Sequence, residues 1–121
     1  MYKRLIILIV LSVPLAYLLA RLMGLFYSHE QPFAVYGFEP LIPHAIDNSF
    51  PSDHVALGGA IATSVLFLHR RLGLLVWLLV VSVGLLRVVA GLHYPLDIVG
   101  GVCAGILAGM AAYVLTPKGR G

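Results

Sequence analysis

The ionisable residues of this 121-residue chain fall at spacings that could handle an anion. Ser52, Asp53 and His54 stand side by side, Arg87 follows after a long apolar run, and His93 and Asp97 lie four residues apart. Ser52 is a good helix N-cap, so the helix after it would present free backbone N–H groups and the positive end of its dipole. Pro95 suits the first turn of a further helix, and Asp97 is favourably placed near that N-terminus. Taken singly, each residue has a plainer reading: Ser52 and Asp97 as caps, His93 as an interfacial histidine, His54 and Arg87 as interface anchors. The argument for chemistry therefore depends on whether the chain brings them together.

The composition says what kind of scaffold would do so. The chain is 60% hydrophobic and 11% charged, against about half and a quarter in a soluble domain. It is read as one membrane domain, 1–121. The single cysteine, Cys103, excludes a disulfide framework or a cysteine metal site and is expected to pack inside an apolar run. The net charge of +3 comes without a basic patch on a soluble surface, so no nucleic-acid partner is expected. A span needs roughly 20 apolar residues. Residues 5–26, 72–92 and 96–115 qualify, with Pro14 as a kink in the first, and 52–68 is just long enough. The first stretch is too long for a signal-peptide core and lacks a clean cleavage site. The expectation is an all-α integral membrane bundle of four transmembrane helices.

Charge orients the bundle. Lys3 and Arg4, Arg70 and Arg71, and Lys118 and Arg120 mark three places without acids, whereas residues 28–51 and Asp53 carry the acids without lysine or arginine. By the positive-inside rule both termini are cytoplasmic, and 28–51 and 93–95 face outward.

Helical rise then tests the juxtaposition. His54 lies about 21 Å above Leu68 and Arg87 about 22 Å above Leu72, so both reach the outer rim; Arg21 climbs to about 24 Å above Leu5. His93 and Asp97 belong to the same layer. A cluster of ionisable groups at that depth is by default a functional-site hypothesis. Asp97, Gly101, Gly105 and Gly109 recur at i+4, as do His54, Gly58 and Ala62, small-residue stripes that let helices approach and aim the polar residue at each top toward a neighbour. The helix 96–115 stripe also permits a homo-oligomer. His29 and His44 in the outer loop, and His69 at the cytoplasmic turn, are expected to be surface residues.

These residues resemble two motifs of the type 2 phosphatidic-acid phosphatase superfamily. Pro51-Ser52-Asp53-His54 is similar to P-S-G-H. Leu86-Arg87, five residues, His93, three residues and Asp97 match S-R-x5-H-x3-D except at the serine; Ser49-Phe50 and Gly91-Leu92-His93-Tyr94-Pro95 are also typical. The resemblance covers about 31–115, and the aspartate in the third position of the first motif looks like the undecaprenyl-diphosphatase branch. It implies a shortened form of a usually six-helix fold and a metal-free phosphatase without cofactors, acting on a membrane lipid at the outer face of the plasma membrane. His93 would be the nucleophile that becomes phosphohistidine, Asp97 would fix its tautomer, and His54 would protonate the leaving oxygen. Arg87, Ser52 and the Asp53 amide would hold phosphoryl oxygens.

One family motif, K-x6-R-P, is altered: Gly24 stands where the lysine belongs and Gln31, before Pro32, where the arginine belongs. Gln31 would donate hydrogen bonds to phosphate without charge, and Arg21, one turn from Gly24, is the candidate substitute cation. Phosphatidic acid or phosphatidylglycerol phosphate are alternative substrates. A catalytically degenerate lipid-phosphate-binding protein, and a metal site of His54, His93 and Asp97, are the alternative functions.

Overall fold

The computed structural model describes residues 2–116, which form α1 (Tyr2–Phe26), α2 (Pro32–Tyr36), α3 (Asp53–Leu68), α4 (Arg70–Val89) and α5 (Pro95–Leu115). Lys118 and Arg120, used in the charge argument, lie outside the described residues. Helices α1, α4 and α5 are long and apolar enough to cross a membrane, and α3 is a shorter apolar helix of 16 residues, about 24 Å. Pro14 sits inside α1, which runs unbroken through it.

Local chemistry sets the helix ends. Ser52 Oγ accepts the Val55 N–H at 3.4 Å and starts α3. His69 ends α3 and starts α4, its Nδ1 accepting the Leu72 N–H at 3.2 Å, so the chain reverses over one residue. The expected span 72–92 stops three residues early, at Val89. Gly91 takes φ +87°, a left-handed conformation that glycine adopts without strain, and the Leu92 N–H turns back to the Arg87 carbonyl at 3.0 Å. That turn carries Leu92 into the interior and brings His93 to the bundle's end.

The segment 28–51 is more than a surface loop. Pro32 supplies the first helical residue of α2, and Gly37 at φ +72° closes it. Its backbone is tied to the bundle, Phe33 N–H donating to the Gly91 carbonyl at 3.1 Å and Leu41 N–H to the Ala90 carbonyl at 3.0 Å, and to itself, Ser49 N–H donating to the His29 carbonyl at 2.7 Å. Phe33, Ala90 and Leu92 form a small apolar core beneath it.

Helix α3 is the centre, packing on α1, α4 and α5. Ala16, Ala60 and Ala108 make one buried layer, and Ala20, Ala56 and Ala104 the next. The numbering rises along α1 as it falls along α3 and α5, so α1 is antiparallel to both. The glycine stripe of α5 faces α3: a Cβ on Gly105 would sit 2.8 Å from Gly59 Cα, and one on Gly109 2.5 Å from Thr63 Cγ2. The surface of the stripe is thus filled within the chain. The expectation for Cys103 is corrected: it is exposed rather than packed. Helix α4 lies on the outside of α3, with Gly58 against Val80 and Gly59 against Trp77, and it exposes Leu74, Leu75, Leu78, Leu79, Leu85 and Leu86. Such a surface suits lipid, where helices associate through close packing of small residues.

Candidate functional site

At the α3 N-terminal end of the bundle, a polar cavity of about 120 Å³ collects Arg21 from α1, Asp53 and His54 from α3, Arg87 from α4 and His93 from the α4–α5 connection. The outer segment adds His44, Asp47 and Asn48 to its wall. The equal-depth argument from helical rise thus finds its geometric counterpart. Helix α3 contributes more than side chains: the Asp53 and His54 N–H groups lie in the first turn, where no intrahelical acceptor exists.

The two cations differ in their surroundings. Arg21 Nη2 lies 2.5 Å from Asp53 Oδ1, both side chains about half exposed. Among the described residues the Arg87 guanidinium has no hydrogen-bond partner, and its Nε is buried without one. Arg87 is thus the guanidinium left open to an anion in this cavity.

Behind His93 lies Asp97, fully buried. A buried carboxylate is costly unless well partnered, and Asp97 Oδ2 is surrounded by donors: the Ser49 hydroxyl, the Tyr94 N–H at 2.8 Å and His93 Nδ1 at 3.3 Å. The Tyr94 bond also closes one half of a capping box at the start of α5. With Nδ1 turned toward Asp97, Nε2 is the ring nitrogen of His93 left for chemistry. Asp97 Oδ1 faces His29 Nε2 at 2.9 Å, an ion-pair contact rather than an aligned hydrogen bond. Partial burial first, then Tyr36 and Asp97, push the Tyr94 phenol above its ordinary value, so it stays un-ionised at neutral pH.

Two expected phosphate ligands stand elsewhere. Ser52 is buried, its Oγ engaged with Val55 and its N–H donating to the Asp97 carbonyl at 3.0 Å, so it braces α3 against α5. Gln31 is buried and knots the outer segment: Nε2 donates to Asp47 Oδ1 at 2.5 Å and to the Ala45 carbonyl at 3.3 Å, and Oε1 accepts the Asp47 N–H at 3.1 Å. Neither lines the cavity. Gly24 is also committed, since a Cβ there would lie 2.9 Å from Asn48 Nδ2 and 3.2 Å from the Phe50 carbonyl. The small residue lets the outer segment settle onto the end of α1.

His29, expected at the surface, is instead partly buried against Asp97, whereas His44 is exposed as expected and also lines the cavity. Ser49 was legible only through the Ser49-Phe50 pair before the first motif. Loop residues carry no periodicity, so no spacing rule could have placed His29 or His44. Among the described residues, no three His, Cys, Asp or Glu side chains gather into a metal-ligating group, and His54, His93 and Asp97 do not form one.

Comparison with known proteins gives a consistent result. Residues 5–120 match the PAP2 superfamily. The chain is 37% identical over 117 residues to the "Bacitracin transport permease protein BcrC" of Bacillus licheniformis, covering 96% of this chain and 58% of that protein. It is 40% identical over 91 residues to the "Undecaprenyl-diphosphatase BcrC" of Bacillus subtilis (strain 168), covering 73% and 46%. A "Lipid A 1-phosphatase" of Rhizobium etli is 35% identical over 103 residues, covering 80% and 42%. The chain spans about half the length of these relatives.

Proposed function

We propose that this chain, which belongs to the PAP2 superfamily and is a multi-pass membrane protein, hydrolyses a lipid phosphate at the outer membrane face, with undecaprenyl diphosphate as the first-choice substrate. The substrate follows from the name of the Bacillus subtilis relative. The outer face follows from Lys3, Arg4, Arg70 and Arg71, which lie at the end of the bundle opposite the cavity.

The observation that carries the reading is His93, backed through Nδ1 by Asp97 and lining one cavity with His54 and Arg87. In this reading the His93 Nε2 lone pair attacks phosphorus, and the P–O bond to the leaving group breaks with its electrons passing to that oxygen. His54 gives the leaving oxygen its proton. Water then attacks the phosphohistidine, His54 takes a proton from it, and the N–P bond breaks to return His93 and release phosphate. Asp97 stabilises the charge that the His93 ring acquires, while Arg87 and the first-turn N–H groups of α3 hold the equatorial oxygens.

The test is phosphate release from undecaprenyl diphosphate and from phosphatidic acid by the purified protein in detergent with chelator, beside His93→Ala. Release by the parent alone supports the reading, and the better substrate identifies the lipid. No release from either lipid by folded parent overturns it. The Arg21–Asp53 pair favours one second reading, a lipid-phosphate-binding protein without turnover, because one of the two cavity cations is already neutralised.

A further inference from the structure

We infer that His29 is a positioning residue for the reaction, holding the Asp97 carboxylate from the side opposite His93. The inference builds on the phosphatase reading above and adds a histidine that the two matched motifs do not contain.

The carboxylate of Asp97 is shared between two imidazoles. His93 Nδ1 faces Oδ2 at 3.3 Å and His29 Nε2 faces Oδ1 at 2.9 Å. Oδ2 also has the Ser49 hydroxyl and the Tyr94 N–H, whereas among the described residues Oδ1 has no hydrogen-bond partner and faces His29. A fully buried carboxylate cannot be left with one oxygen unanswered at low cost. The other nitrogen of His29, Nδ1, lies 3.2 Å from the Glu30 carbonyl.

Loop geometry holds the ring there. The Ser49 N–H donates to the His29 carbonyl at 2.7 Å, and the His29 N–H donates to Asn48 Oδ1 at 3.2 Å. Tyr27 and Tyr94 pack edge-on against the imidazole, with centroids 5.2 Å and 4.8 Å away. His29 does not line the cavity that holds Arg87 and His54. It therefore acts on the carboxylate that orients His93 and not on the phosphate, and its removal should affect turnover rather than substrate binding. Orienting partners one step behind a reactive imidazole are commonly worth about 10- to 100-fold in activity.

The experiment measures kcat and KM for undecaprenyl diphosphate in the full chain with His29→Leu, His29→Gln and His93→Ala, with thermal unfolding in detergent as the check on folding. His29→Leu is expected to lower kcat by about 10- to 100-fold with KM within about threefold. His29→Gln, whose amide can donate to Oδ1, is expected to recover most of that loss. A folded His29→Leu with parental kcat, beside an inactive His93→Ala, overturns the inference and leaves the phosphatase reading standing. Full activity in His93→Ala overturns the His93 mechanism on which the inference rests. If His29→Leu does not fold, a folded His29→Gln decides: kcat within about fivefold of the parent supports the inference, and a larger loss overturns it.

Discussion

Arg21 on α1 meets Asp53, the first residue of α3, with Nη2 2.5 Å from Oδ1 at the edge of the cavity that also holds Arg87 and His54. The pair joins the candidate substitute cation to the residue that sets the PSDH motif apart from P-S-G-H. Both side chains are about half exposed, so the pair itself adds little to stability. Its significance is competition, since an incoming phosphate and Asp53 seek the same guanidinium.

That competition can be measured. Arg21→Ala is expected to raise KM about 10-fold by removing a charge-assisted contact. Asp53→Asn is expected to lower KM by about three- to tenfold, because Arg21 is then free for phosphate. Steady-state kinetics on both variants checks this; unchanged KM in both would show that Arg21 does not reach the substrate.

Asp97→Asn keeps the shape of the side chain but removes its charge and one acceptor from the His93 contact. The expected loss in kcat is at least about 100-fold, by analogy with the carboxylate of other imidazole-based sites. Rapid-quench detection of the phosphoenzyme separates the steps: its formation should slow, while lipid binding measured with His93→Ala should persist.

Gln31→Ala removes the bonds that tie 31 to Asp47 and Ala45. Leaving those buried groups without partners should cost about 1–3 kcal/mol. Limited proteolysis would report it as faster cleavage within 38–48, without the KM increase expected of a direct phosphate ligand.

Gly105→Ala places a methyl group against the α3 backbone at Gly59. The expected cost is about 1–3 kcal/mol from overpacking. Cys103→Ala, two residues away on the exposed side, should stay within about 0.5 kcal/mol of the parent. Thermal unfolding in detergent compares the two directly.

The helices and the depth of their polar residues were legible because 3.6-residue periodicity and rise per residue are strong constraints. They place His54 and Arg87 at one level before any contact is known. The early end of α4 was not, because it depends on Gly91 adopting a left-handed conformation, and a glycine in an apolar run carries no mark of that. His29, His44 and Gln31 belong to a segment positioned by backbone ties to Gly91 and Ala90. Those ties are long-range, so the packing of His29 against Asp97 and the burial of Gln31 were beyond local pattern. The glycine stripe of α5 was recognised as an interface, but sequence does not say whether the facing surface belongs to the same chain.

The two buried layers of Ala16, Ala60 and Ala108, and of Ala20, Ala56 and Ala104, consist of side chains that end at Cβ. Alanine and glycine have no χ angle to fix, so ordering these contacts forfeits no rotamer entropy. They also have no second rotamer to adopt. The spacing between the start of α3, which carries His54, and the start of α5, which carries Asp97, is therefore dictated by backbone meeting backbone. A displacement of one helix end relative to the other is resisted where Gly105 meets the Gly59 backbone, and this part of the scaffold behaves as a stiff frame.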